Sequence, residues 1–157
     1  MYSFKTIIHP TDFSPHSAEA FKAAQALAKA LKSHLVVVHI VNPPAVVSPD
    51  GQTVTDPESG EKTDVWAGLD SYDKDPDVAF ERRLVVADKS ASPKSLLKLT
   101  QGIDCDLIVI GSHGRSGLKR LFLGSTAEEV VRESSCPVMV VKATTGTDET
   151  PPATEDA

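Results

Sequence analysis

The residues with the spacing to do chemistry lie between Gly111 and Ser125, a stretch that reads Gly-Ser-His-Gly, nine residues, then Gly-Ser. It follows the apolar run Leu107-Ile108-Val109-Ile110 without a break and leads into Thr126-Ala127-Glu128-Glu129-Val130-Val131, which has the composition of a helix. A buried strand that ends in glycine and opens onto a helix N-terminus brings unpaired N–H groups and the positive end of a helix dipole to one point. That arrangement suits phosphate. Gly111 and Gly114 let the backbone approach a phosphate chain, and Gly124 with the amides of Ser125 and Thr126 suits its outer groups. Arg115, Lys119 and Arg120 lie inside the loop, with no acid between Asp106 and Glu128. They are either a solvated face or phosphate contacts, and His113 can add a further donor. His113 is also the residue to suspect of phosphotransfer, but it has no identifiable acid or base partner, so no catalytic residue is assigned.

Positioning this loop takes a sheet and helices. Phe4 to His9 reads as a strand stopped by Pro10, and Thr11-Asp12-Phe13 as a turn. Ser14-Pro15 is an N-cap followed by proline at the first helical position, and Ala18, Phe21, Ala24, Ala28 and Leu31 recur at helical spacing, predicting a helix from 15 to 33. Leu35 to Val41 is a strand covered on both faces, Glu81 to Ala87 a third, Cys105 to Ile110 a fourth and Val138 to Val141 the last. Helices are expected from Ser92-Pro93 to Gly102, and from a capping box at Ser125-Thr126-Ala127-Glu128 to a point before Pro137. The fold class is α/β: an open five-stranded parallel sheet with helices on both faces. Ligands of such sheets bind beyond the carboxyl ends of the strands, where the order reverses. The turn at Pro10 to Ser14 and the loop from Gly111 leave such ends, so the two can face each other. Asp12 then either accepts from ribose hydroxyls or bonds its own turn; the facing loop favours ribose. His39 reads as a hydrogen-bonded core residue ahead of a ligand.

The spacing Gly111-x2-Gly114-x9-Gly124-Ser125, together with Ile7-Ile8-His9-Pro10-Thr11-Asp12-Phe13-Ser14, resembles the universal stress protein family, in its ATP-binding branch. The likeness runs from about Ser3 to Lys142 and is poor in the middle. It implies a Rossmann-like domain similar to the adenine nucleotide alpha hydrolase-like architecture, with ATP and Mg²⁺ as ligands. It places Ile40 against adenine, and it implies a homodimer through the last strand, 137–142. The nucleotide-binding set expected is Pro10, Thr11, Asp12, Ile40, Ile110, Gly111, His113, Gly114, Arg115, Gly124, Ser125 and Thr126, with no metal ligand from the side chains.

Net charge is −6 over 157 residues, unevenly spread. Residues 42–80 hold nine acids and two bases, the tail 143–157 four acids and no base. The rest, including the glycine loop, is mildly basic, without the long Lys/Arg stripe of a nucleic-acid surface. The domain is expected over 1–142, with a disordered tail after it. Within it, 42–80 is an acidic excursion broken by Pro43, Pro44, Pro49, Pro57, Pro76, Gly51, Gly60 and Gly68. Val65, Trp66, Leu69 and Tyr72 suggest a turn or two of helix there, pinning the excursion to the body or offering it to a partner; pinning is the preferred reading. No run is apolar enough for a membrane span, and no signal peptide is evident, so the expected location is the cytoplasm. Cys105 and Cys136 read as core thiols. Walker, dinucleotide, zinc and serine-hydrolase patterns are absent. The function expected is an ATP-dependent regulatory module in stress signalling. The alternatives are a slow ATPase or self-phosphorylating enzyme, and a nucleotide-free dimeric interaction protein.

Overall fold

A computed structural model describes residues 1–88, 92–113 and 123–142. The first apolar run forms β1 (Thr6–Pro10), and Ser14 caps helix α1 (Pro15–Leu31), its hydroxyl accepting from Ser17 N at 3.2 Å. The helix stops at Lys32, which turns left-handed at φ 55°. The chain continues through β2 (His34–Val41), the short strands β3 (Val46–Val47), β4 (Thr53–Thr55) and β5 (Lys62–Asp64), and a four-residue helix α2 (Ala67–Asp70). It then forms β6 (Phe80–Val86), α3 (Ser92–Gly102), β7 (Leu107–Gly111), α4 (Ser125–Glu133) and β8 (Val138–Val141).

The main sheet has five parallel strands in the order β6-β2-β1-β7-β8. The chain travels outward from β1 through β2 to β6, then returns to lay β7 on the other side of β1. The order therefore reverses between β1 and β7, the place where open α/β sheets bind ligands. Alternate side chains build two cores. Ile7, Leu35, Val37, Leu107 and Val109 pack with Phe21 and Ala24 of α1, while Ile8, Val36, Val38, Ile108 and Ile110 pack with Leu96 of α3 and Ala127 and Val130 of α4. Helices thus lie on both faces, as the sequence predicts.

One long helix cannot cover five strands, and the excursion covers the rest of the α1 face. Trp66, Leu69 and Tyr72 join the α1-side core beside Phe80 and Leu84, and Trp66 is 1% exposed. The tryptophan pins the segment. What sequence reading lacked is a second sheet, antiparallel, in the order β3-β4-β5. Gly51 (φ 69°) and Gly60 (φ 71°), which look like breaks, are the turns of its two hairpins, with Gly51 N bonded to Ser48 O and Gly60 N to Asp56 O. Strands of two or three residues are too short to show alternation.

Two other expectations are corrected. The capping box at Ser125 to Glu128 does not form: Gly124 is the N-cap, with no side-chain cap bond, and its carbonyl accepts from Glu128 N at 2.9 Å. Glycine already adopts the extended entry conformation (φ −60°, ψ 154°), which moves Ser125 into the first helical turn. The fourth strand starts at Leu107 and not Cys105, because Asp106 is held by its own carboxylate, accepting from the amides of Lys5 and Thr6 at 2.8 and 2.9 Å. Cys105 and Cys136 are free, half-buried thiols with their sulfurs 3.5 Å apart, and burial, then the neighbouring Cys136, pushes Cys105 up to about 12. The tail from 143 onward lies outside the described residues.

Phe21 is fully buried, and its ring meets those of His9, Tyr72 and Phe80 at 6.0, 5.1 and 5.8 Å. Phe21→Ala is expected to cost about 3–5 kcal/mol, read as a lower urea midpoint with an unchanged slope.

Candidate functional site

β1 and β7 pair through Ile7 with Leu107 and Ile8 with Ile108, and the ladder goes no further. Beyond it the next contact is made by a side chain: His9 Nδ1 lies 2.9 Å from Val109 O. A carbonyl only accepts, so Nδ1 carries the proton and neutral His9 keeps its lone pair on Nε2. That nitrogen is buried without a hydrogen-bond partner, and the His9 ring lies 6.0 Å from the Phe21 ring. A second proton there would be a charge in an apolar setting. Burial lowers the pKa to about 4, against smaller opposing effects of the Val109 carbonyl and of Asp12.

Past this point the strands diverge around a cavity of about 370 Å³. From the end of β1 it is lined by Pro10, Thr11 and Asp12, from β2 by Val38, His39 and Ile40, and from β7 by Ile110, Gly111 and the following Ser112 and His113. Gly124, Ser125, Thr126 and Ala127 close the far side with the N-terminus of α4. The two turns singled out in the sequence are therefore walls of one space. Ten of the residues expected at the site line it; Gly114 and Arg115 lie outside the described residues, as do Lys119 and Arg120.

Both readings of Asp12 apply. Its Oδ1 accepts from Ser14 N at 2.9 Å and from Ser17 Oγ at 2.8 Å, and the residue also faces the cavity. The local bonds fix the carboxylate. His39 donates from Nδ1 to Thr11 O at 2.8 Å, so it holds the same turn from the neighbouring strand while lining the cavity. On the opposite wall, Gly124 N donates to Ser112 O at 2.7 Å, and Ser112 N to Val141 O at 2.9 Å. These bonds bring the two ends of the glycine loop together and tie them to β8. The first amides of α4 have no intrahelical acceptor and belong to this wall.

Several lining residues escaped sequence reading. Val38 was legible in principle, since it shares a strand face with Ile40 at a spacing of two; Ser17 and Leu96 carry no local signal. His16 does not line the cavity but lies against a residue that does. Its ring centroid is 5.3 Å from that of His113, and His16 Nδ1 and His113 Nε2 are both buried without a hydrogen-bond partner. His113 Nδ1 lies 2.9 Å from Ser112 Oγ. The glycine at 111 also has a reason beside the one expected: a Cβ there would come within 3.0 Å of His16 O, so the first turn of α1 needs the space. Among the described residues, no group of three His, Cys, Asp or Glu side chains is placed to hold a metal ion.

The model of the universal stress protein family matches residues 3–142. The chain belongs to that family. It is similar to a universal stress protein of Methanocaldococcus jannaschii, 25% identical over 88% of this chain and 95% of that one. Among solved structures, a universal stress protein in complex with cAMP matches with a TM-score of 0.60 at 24% identity, covering 90% of this chain and 98% of the other. A universal stress protein family protein of Arabidopsis thaliana with AMP bound matches with a TM-score of 0.55 at 16% identity, over 95% and 97% of the two chains. At these identities the two structures speak for a shared fold, which is the open parallel sheet described above.

His9 gives this family member a pH signature. The folded protein keeps it neutral down to about pH 4, whereas the unfolded chain takes up the proton near 6.5, so stability falls as pH drops through that window. Between pH 7 and pH 5 the expected loss from this group is about 2 kcal/mol. His9→Asn, whose amide can donate to Val109 O without titrating, should lose less by that amount in urea unfolding at the two pH values; equal losses would remove His9 as the cause.

Proposed function

We propose that the cavity holds an adenine nucleotide, with ATP and Mg²⁺ as the ligand, and that the protein is a nucleotide-dependent regulatory module of the stress response. The observation that carries this reading is the meeting of three unlike walls in one space: an apolar one, a fixed carboxylate and a helix N-terminus. Val38, Ile40 and Ile110 offer adenine an apolar surface. Asp12 accepts from the ribose hydroxyls. The amides at Ser125 and Thr126 take the phosphates, with Gly124 and His113 beside them, and Gly114 and Arg115 complete the nucleotide-binding set. Mg²⁺ usually keeps several waters and binds through substrate phosphates, so it needs no cage of side chains. The cAMP and AMP in the two similar structures support the adenylate part of this assignment.

In the cell the protein acts as a cytoplasmic homodimer paired through 137–142. β8 is an edge strand and Met139 on it is 41% exposed, which supports pairing there. The nucleotide reaches that edge by a short route, since Ser112 beside the cavity is bonded to Val141. Signalling then consists of a change in dimer shape or partner affinity. The Ser112–His113 contact supports a second reading, slow hydrolysis or self-phosphorylation, in which turnover disappears in His113→Ala.

Asp12→Asn is the direct test, because asparagine keeps Oδ1 as the acceptor for Ser14 and Ser17 while Oδ2 becomes a donor group. Calorimetry should show ATP affinity lowered about 10–100-fold, the worth of hydrogen bonds to a charged group, at unchanged thermal stability. If heat-denatured protein releases no adenine nucleotide, and the unmodified protein binds neither ATP nor AMP with Mg²⁺ present, the cavity is not a nucleotide site.

A further inference from the structure

The turn that carries Asp12 contains a backbone outlier. Phe13 has φ 61°, a left-handed conformation that bulky residues seldom adopt. Such a residue persists only where its surroundings hold it. Within the turn, Phe13 N donates to Thr11 Oγ1 at 3.0 Å. The ring is held by two different parts of the molecule. His39, which lines the cavity and is bonded to Thr11, lies 4.8 Å away between centroids. On the excursion side, Trp66 stands edge-on at 6.1 Å, and Gly68 comes so close that a Cβ on it would lie 2.9 Å from Phe13 Cγ. Trp66 is itself fixed to the excursion, its indole N–H donating to Gly51 O at 2.8 Å and its amide to Asp64 Oδ1 at 2.9 Å. Neither Trp66 nor Gly68 lines the cavity.

We infer that Phe13 is a positioning residue that couples the excursion to the nucleotide cavity: α2 seated on its ring holds the Asp12 turn in the conformation that accepts the ribose. This inference rests on the nucleotide reading above. Coupling of this kind is reciprocal, so a nucleotide that favours the turn also favours the seated excursion, and anything that lifts α2 off Phe13 weakens the nucleotide by the same factor. The acidic excursion is then an input to the site as well as a cover for the sheet.

Trp66 is the only tryptophan in the chain, and it reports directly on this contact. Titrating ATP and Mg²⁺ into the full-length protein should change Trp66 emission with the midpoint found by calorimetry. Gly68→Ala, which drives a methyl group into the Phe13 ring, should weaken ATP by at least about fivefold. Asparagine accepts the left-handed turn without a ring, so in a Phe13→Asn background Gly68→Ala should have no further effect and the Trp66 response should vanish. A merely structural contribution of Gly68 would lower affinity equally in both backgrounds. Should ATP bind by calorimetry while Trp66 emission stays flat, or Gly68→Ala bind as tightly as the unmodified protein, the coupling is wrong and the nucleotide reading stands. The absence of any calorimetric signal in the unmodified protein overturns both. If Gly68→Ala fails to fold, the Trp66 titration alone decides.

Discussion

Everything at the site depends on two neighbouring strands parting. β1 and β7 are bonded through Ile8 and Ile108 and then separate, because the chain order reverses between them and no strand fills the gap. A carbonyl left unpaired at that point, deep in the sheet, would carry a desolvation cost of about 1–3 kcal/mol. The His9 imidazole takes that position for Val109 and ends the ladder without leaving its carbonyl bare. The side chain that closes the sheet is therefore also the one whose protonation the fold resists.

The same parting explains what the sequence could show. Strands were legible where side chains are apolar on both faces, as in β2 and β7, and α1 was legible from Ser14-Pro15 and its buried alanines. The meeting of Asp12 with the glycine loop was legible through topology, since parallel order places both at carboxyl ends. The second sheet was not, for its strands of two or three residues are too short to repeat an alternation of period two. The start of α4 was misread because Ser125 to Glu128 satisfies the capping pattern in letters, while the backbone had already entered the helix at Gly124. His16 and Leu96 could not be found at all: each reaches the site region through packing between elements, which no local spacing encodes.

The excursion illustrates how charge and packing divide one segment. Most of its acids lie on hairpins and turns, where Asp50 and Asp56 accept from nearby backbone amides, while Trp66, Leu69 and Tyr72 pack inward. A stretch read by composition looks mobile; read residue by residue it has a surface of carboxylates and an anchor of Trp66, Leu69 and Tyr72. The anchor packs with α1 over β2 and β6, beside Phe80 and Leu84, so the sheet requires the excursion as much as the excursion requires the sheet.

Gly111 shows how far the two motif blocks depend on each other. In a phosphate loop a glycine is ordinarily explained by the ligand, yet here the space beside its Cα is occupied by the backbone of His16 in the first turn of α1. That turn contains Ser17, which bonds Asp12. A side chain at 111 would therefore disturb the carboxylate on the opposite wall before it met any phosphate. The glycine of one block and the aspartate of the other are joined through α1, which is why the pair, and not either motif alone, identifies the site.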